Sequence, residues 1–185
     1  LKKVTVTSDI HQKWEYWASP FDSSPLTTVV IEEGVTKLPS IIFYNQQGLS
    51  SINLPSTLKE IGDSAFEKTS LKTVLLPSSV GNLGAFAFAH IETLTSATIG
   101  SNLIEGKYAF SGSKNLESIN LKSGTRKIVD GLLENTGITS FVIPEGVEEI
   151  GSNADIYFQI INNYQQLPSH LPLKLLEKER FQVLV

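Results

Sequence analysis

Few residues in this 185-residue chain are of types that do chemistry, and their spacing argues against a reaction. His11, His90 and His170 stand in three unrelated contexts, none with a carboxylate or second histidine at metal-ligand spacing, so zinc is disfavoured. Cysteine is absent, which removes disulfides, thiolate metal sites and cysteine nucleophiles together. There is no Gly-x-Ser-x-Gly elbow. Gly48-Leu49-Ser50 and Gly62-Asp63-Ser64 run on to Ile52 and Phe66, where the closing glycine is required. No phosphate-binding glycine loop precedes a helix. The expectation is a non-enzymatic protein without a cofactor. Glu32-Glu33 and Glu145/Glu148/Glu149 could form a weak calcium or basic-partner site, but a solvated rim is the favoured reading of such charge runs.

The glycines recur with the apolar residues, and that recurrence defines the elements. Leu26, Leu49, Leu71, Leu94, Leu116 and Ile138 open successive units at spacings of 23, 22, 23, 22 and 22 residues. The fourth place holds Val29, Ile52, Val74, Ala97, Ile119 and Phe141; the sixth holds Ile31, Leu54, Leu76, Ile99, Leu121 and Ile143. Alternation at places four and six predicts a short strand with one face inward, so Leu49, Ile52 and Leu54 are expected to fill the sheet side. Pro55, Pro77 and Pro144 lack an N–H and mark where the strand ladder stops. A second apolar pair then turns the chain inward (Val35/Leu38, Leu58/Ile61, Val80/Leu83, Val147/Ile150), closed by Gly62, Gly84 and Gly151, which are expected to adopt positive φ. On the outer arc Phe43, Phe66, Phe88 and Phe110, continued by Leu133, form a spine that ends at Asp155. Ala65, Ala87 and Ala109 precede three of the rings. Asp63 and Ser64 read as cap residues for a short helical turn before Phe66.

This frame leaves two groups as binding candidates. Place three reads Thr28, Ser51, Thr73, Ser96, Ser118 and Ser140, and place five Val30, Asn53, Leu75, Thr98, Asn120 and Val142. The outward strand face is therefore uncharged, low in relief and mildly apolar. It could be a flat docking surface for an extended partner; Ser and Thr also simply suit a solvated strand face, and that plainer account weighs slightly more. Trp14, Tyr16 and Trp17 crowd an enlarged loop, either as an interface hot spot or, preferably, as a lid over the first coil.

Composition sets the outer limits. The chain is 41% hydrophobic and 18% charged with a net charge of −4, a globular composition whose scattered basic residues argue against a nucleic-acid surface. No apolar run is long enough to span a membrane. With no methionine and no signal peptide, the sequence reads as a piece of a longer protein. Residues 1–25 are expected to form a divergent N-terminal repeat or cap, 26–154 the array, and 155–185 a C-terminal cap, helical from Leu173 to Leu184.

The unit Leu-x-x-Ile-x-Leu-Pro-x-x-Leu-x-x-Ile-Gly-x-x-Ala-Phe, spelled out by Leu49 to Phe66, resembles the BspA-like (Treponema pallidum type) class of leucine-rich repeat. The cysteine often found after Ala-Phe in that class is missing throughout. The unit from Leu94 is one residue short before Ala109-Phe110, and Leu132-Leu133 replaces Ala-Phe in the next. The resemblance implies a repeat solenoid, a right-handed superhelix with a parallel β-sheet on one side and short helical or irregular arcs on the other. It further implies an extracellular or cell-surface bacterial protein that binds a protein or cell-surface ligand, such as host extracellular matrix. The alternative is a rigid spacer presenting an anchor or catalytic domain.

Overall fold

A computed structural model describes residues 3–9, 19–21 and 26–152. The chain winds as a solenoid in which every coil before Ile138 contributes a strand to a principal face. These are β1 (Lys3–Val6), β2 (Thr28–Ile31), β4 (Ser51–Asn53), β6 (Thr73–Leu75), β8 (Ser96–Ile99) and β9 (Ser118–Leu121). All pairings are parallel and in repeat register: Val4 aligns with Val29 and Val29 with Ile52, while Val74 aligns with Ala97 and Ala97 with Ile119. Parallel neighbours 22 to 25 residues apart require one full coil between strands, which the sequence period supplies. A second, narrower strip carries β3 (Lys37–Leu38), β5 (Glu60–Ile61), β7 (Asn82–Leu83), β10 (Lys127–Ile128) and β11 (Glu149–Ile150). The second apolar pair turns the chain inward as expected, and its second member (Leu38, Ile61, Leu83, Ile150) lies in one of these two-residue strands while the first (Val35, Leu58, Val80, Val147) is buried in the turn before it.

The core lies between these strips and the outer arc. Leu26, Leu49, Leu71, Leu94 and Leu116 are wholly buried, with Val29, Val74, Ile31, Leu76 and Ile99 beside them. The expected sheet-side burial is incomplete at Ile52, Leu54, Ile119 and Phe141. β4 and β6 are not hydrogen-bonded neighbours, and the principal sheet falls into two halves, β1-β2-β4 and β6-β8-β9. The N–H at place two of each coil donates to the coil before, as from Ser50 to Thr27 and from Thr95 to Lys72. Between the halves Ser70 takes over instead, its N–H donating to Leu49 and its hydroxyl to Gln47. Ile52 and Leu54, on the strand beside this seam, are half-buried.

Phe43, Phe66, Phe88 and Phe110 are fully buried, with adjacent ring centroids 5.3, 5.0 and 5.6 Å apart, all stacked. Phe21 extends the spine by one coil at 5.6 Å from Phe43, a member the repeat reading passed over although it lies 22 residues earlier. Stacked rings of this kind add to the apolar burial each supplies.

Among the described residues the arcs contain no helix; they are runs of turns. Two residues per arc adopt left-handed φ: Ile41, Ser64, Phe86, Tyr108 and Gly131 in one row, Asn45, Lys68, His90, Gly112 and Asn135 in the other. This geometry aims the N–H of alternate residues along the solenoid axis. Ile41, Phe43 and Asn45 donate to Asp63, Ala65 and Glu67 of the next coil at 2.8, 2.9 and 2.8 Å. Amides committed to the next coil cannot close α-helical turns, so among the described residues the arcs take the irregular rather than the helical of the two expected forms. Asp63 and Ser64 are accordingly not helix caps. Ser64 takes φ 50°, and the Asp63 carboxylate accepts the Ala85 N–H of the following coil at 2.7 Å.

Gly62, Gly84 and Gly151 do not adopt positive φ either, contrary to expectation. They are glycines because the coils touch there. A Cβ at Gly62 would stand 2.3 Å from the Ser40 nitrogen, one at Gly84 2.1 Å from that of Asp63, and one at Gly151 2.4 Å from that of Asp130. Close backbone approach, not conformational freedom, fixes the residue.

Candidate functional site

The strand alternation points places three and five away from the core, and the parallel register assembles them into rows. Thr28 aligns with Ser51, and Val30 with Asn53. Thr73, Ser96 and Ser118 form one row of the second block, with Leu75, Thr98 and Asn120 beside it. The seam between β4 and β6 divides the two blocks. Lys3 and Thr5, aligned with Thr28 and Val30, extend the first block; the sequence reading missed them because their unit departs from the pattern after its strand. Ser140 and Val142 do not join the rows, since no strand forms at 139–144 and Val142 is 83% exposed. Leu75, 64% exposed beside the seam, is the chief apolar feature of the strand face.

This face lacks charge on its rows apart from Lys3, whereas the second strip carries charge in pairs. Lys37 meets Glu60 at 2.6 Å and Lys127 meets Glu149 at 2.9 Å, with Arg126 against Glu148 alongside. Opposite charges 22 and 23 residues apart were the sequence signal for these cross-strand pairs. The Glu60 carboxylate raises the Lys37 pKa, first by accepting its hydrogen bond and then by its charge. Lys68 is raised likewise, chiefly by its hydrogen bond to the Tyr44 hydroxyl at 2.8 Å.

Of the glutamates singled out from sequence, Glu33, Glu148 and Glu149 take structural partners. Glu33 accepts the Ser56 N–H at 2.9 Å and its hydroxyl at 3.0 Å, which holds its carboxyl below the usual range. Glu148 and Glu149 are the ion-pair partners just named. His90 lies over Gly112, where an added Cβ would stand 2.2 Å from the imidazole Nδ1. Among the described residues no cluster of histidine and carboxylate groups could hold a metal. Trp14, Tyr16, Trp17, His11, His170 and the cap proposed for 155–185 lie outside the described residues.

The family model for the BspA type leucine rich repeat region matches in six copies, over residues 17–105 and 42–165. The chain belongs to that family. Among solved structures, this BspA-type chain is similar to a leucine-rich cell surface protein of Faecalibacterium prausnitzii. The identity is 26% and the TM-score 0.59, over 80% of this chain and 44% of the other. The T. pallidum leucine-rich repeat protein shares the fold at 24% identity and a TM-score of 0.57, over 82% of this chain and 62% of that one. The BspA-type chain therefore spans about half the length of these relatives. No curated protein matches it. No helix of the described residues is long and apolar enough to cross a membrane.

Proposed function

We propose that this BspA-type chain is a non-enzymatic binding module of a bacterial cell-surface or secreted protein, and that the strand face docks a protein partner of host matrix or host-cell surface. The observation that carries this reading is the contrast between the two strips. The second strip pairs its charges internally, while the principal face presents aligned hydroxyl and amide side chains around exposed Leu75. A surface of short uncharged polar groups loses little solvation or side-chain entropy when covered. Its flatness suits an extended protein segment better than a small molecule, which normally occupies a concave site. The cell-surface setting of the Faecalibacterium prausnitzii protein supports the location.

The test measures binding of the purified module to immobilised extracellular-matrix proteins and to epithelial cells. The triple variant Thr73→Glu, Ser96→Glu, Ser118→Glu is compared with wild type at unchanged thermal stability. Binding lost in the variant supports the face; binding retained in full removes it. The second reading, a rigid spacer, draws on the unbroken phenylalanine spine. It is the reading left if the wild-type module binds none of these surfaces.

A further inference from the structure

The coil that opens at Leu94 is one residue short, and the structure shows which residue is missing. Asn82 bridges Glu105, and the Phe86 N–H donates to the Lys107 carbonyl, so Glu105 aligns with Asn82 and Lys107 with Ala85. Gly106 alone spans the positions that Leu83 and Gly84 hold one coil earlier. The inward apolar residue supplied elsewhere by Leu38, Ile61, Leu83, Ile128 and Ile150 has no counterpart in this coil. Val129 stands at the register of Gly62, Gly84 and Gly151. The recess explains how a branched side chain fits there, for a Cβ on Gly106 would lie 3.5 Å from Val129 Cγ2.

A surface depression of about 400 Å³ opens over this defect, lined on its apolar side by Ile104 with the almost wholly buried Leu83 and Val129 beneath. Ile104 is 63% exposed. Around the depression the coil-to-coil amide ladder lapses. Gly62, Gly84 and Gly151 donate their N–H groups to the carbonyls of Leu38, Ile61 and Ile128 at 2.9, 2.7 and 2.7 Å. The N–H groups of Gly106 and Val129, at the same register, meet no acceptor among the described residues. One residue on, side chains normally serve. Asp63 donates its N–H to the Ser40 hydroxyl, Ala85 to the Asp63 carboxylate and Ser152 to the Asp130 carboxylate. Ala85 and Lys107 carry no acceptor oxygen on their side chains, so the N–H groups of Lys107 and Asp130 also meet none among the described residues. All four residues line the depression. Gly106 and Val129 are buried while Lys107 is exposed and Asp130 half-buried, so these amides open on the depression and are placed to donate to acceptor oxygens brought from outside.

We infer that this depression docks a short neutral or basic peptide segment of a partner protein. Its backbone carbonyls accept from the amides of Gly106, Lys107, Val129 and Asp130, and an apolar side chain rests on Ile104. Charge decides against an anion. Asp63, Glu105 and Asp130 face the depression with Lys107 and Lys127, and Lys127 is already paired with Glu149 at 2.9 Å. A peptide offers neutral acceptors together with an apolar side chain, and peptide capture by unpaired main-chain groups is a recurrent mode of recognition. The site is separate from the strand face and its test reads different residues.

The experiment is an amide-resolved NMR titration of the whole chain with the neutral blocked tripeptide acetyl-Val-Gln-Val-amide, beside sodium acetate and N-acetylglucosamine. Saturable shifts are expected at Gly106, Lys107, Val129 and Asp130 with the peptide. The double variant Ala85→Asp, Lys107→Asp places carboxylates at the register of Asp63 and Asp130, and is expected to weaken peptide affinity about tenfold while melting no lower. Ile104→Glu, at an exposed position, is expected to weaken it as well and keeps the test open if the double variant misfolds. The inference is overturned by no saturable response to the peptide, by affinity undiminished in the folded variants, or by a stronger response to acetate (an anion site) or to the sugar (a glycan site).

Discussion

Replacing Phe66 by alanine tests whether the array is held by its outer spine. The ring is wholly buried between Phe43 at 5.3 Å and Phe88 at 5.0 Å, the latter pair only 5° from parallel. Truncating a buried phenylalanine to alanine removes about 3–5 kcal/mol, transfer and cavity terms together. Each stacked contact is worth about 0.5–1.5 kcal/mol beyond area burial, and two are lost at once, which places the expected loss in the upper half of that range. Collapse around the cavity is restricted, because the arc backbone on both sides is fixed by the Phe43–Ala65 and Phe66–Ala87 hydrogen bonds at 2.9 and 2.8 Å. In a solenoid, stability is close to a sum of coil terms and nearest-neighbour interface terms. A loss at an interior coil therefore weakens the coupling between the coils on either side. Denaturant unfolding followed by circular dichroism is expected to show a lower midpoint and a broadened or split transition. Phe66→Leu is expected to be milder, since Leu133 fills the same register while 2% exposed. A loss below about 1 kcal/mol for Phe66→Ala, with the transition still single and steep, would refute the reasoning, because such losses belong to surface positions.

Two further predictions concern the coil contacts. Gly84→Ala is expected to melt well below Gly146→Ala: a Cβ at Gly84 would lie 2.1 Å from the Asp63 nitrogen, while one at Gly146, φ 92°, meets nothing within 4 Å and suffers only local strain. Equal melting temperatures would show that the coils separate freely at Gly84. Glu33 should contribute pH-dependent stability. Its folded pKa lies below the ordinary value of 4.5 because the Ser56 N–H and hydroxyl donate to the carboxylate. A depressed pKa stabilises the fold above the unfolded value, and that contribution disappears as pH falls through the folded one. The melting-temperature gap between wild type and Glu33→Gln is therefore expected to be largest near neutral pH and to close on acidification below the ordinary glutamate value. A gap constant across that range would mean that the Ser56 contacts do not distinguish the charged form.

The interior of this protein was legible in its sequence because translation along one axis repeats the same packing demand. Leu26 to Leu116 and Phe43 to Phe110 each answer a demand posed by the coil before and the coil after, so each appears once per coil and is buried where expected. Backbone conformation was less legible. Many residue types tolerate an arc in which alternate amides point to the next coil, and Ile41, Ser64, Phe86 and Tyr108 share one left-handed slot without sharing a residue type. Gly62 and Gly84 were visible as a pattern, but the cause could not be read without the 2.1 to 2.3 Å approaches that exclude a side chain. The outward rows were legible as positions from Thr28 to Asn120 but not at Ser140 and Val142, and they were silent as to ligand, because solvation alone is compatible with Ser51, Thr73 and Ser96. Departures from the period carry the sharper information. A missing residue before Phe110, an alanine at 85 where coil geometry offers a carboxylate slot, and a valine at 129 where glycine is the rule are each neutral in isolation. Stacked on adjacent coils, they remove one apolar side chain and leave four amides without an acceptor among the described residues around a single depression. In a repeat protein the period fixes what the coils do for one another, and a cluster of coordinated exceptions marks where a surface is fitted to something else.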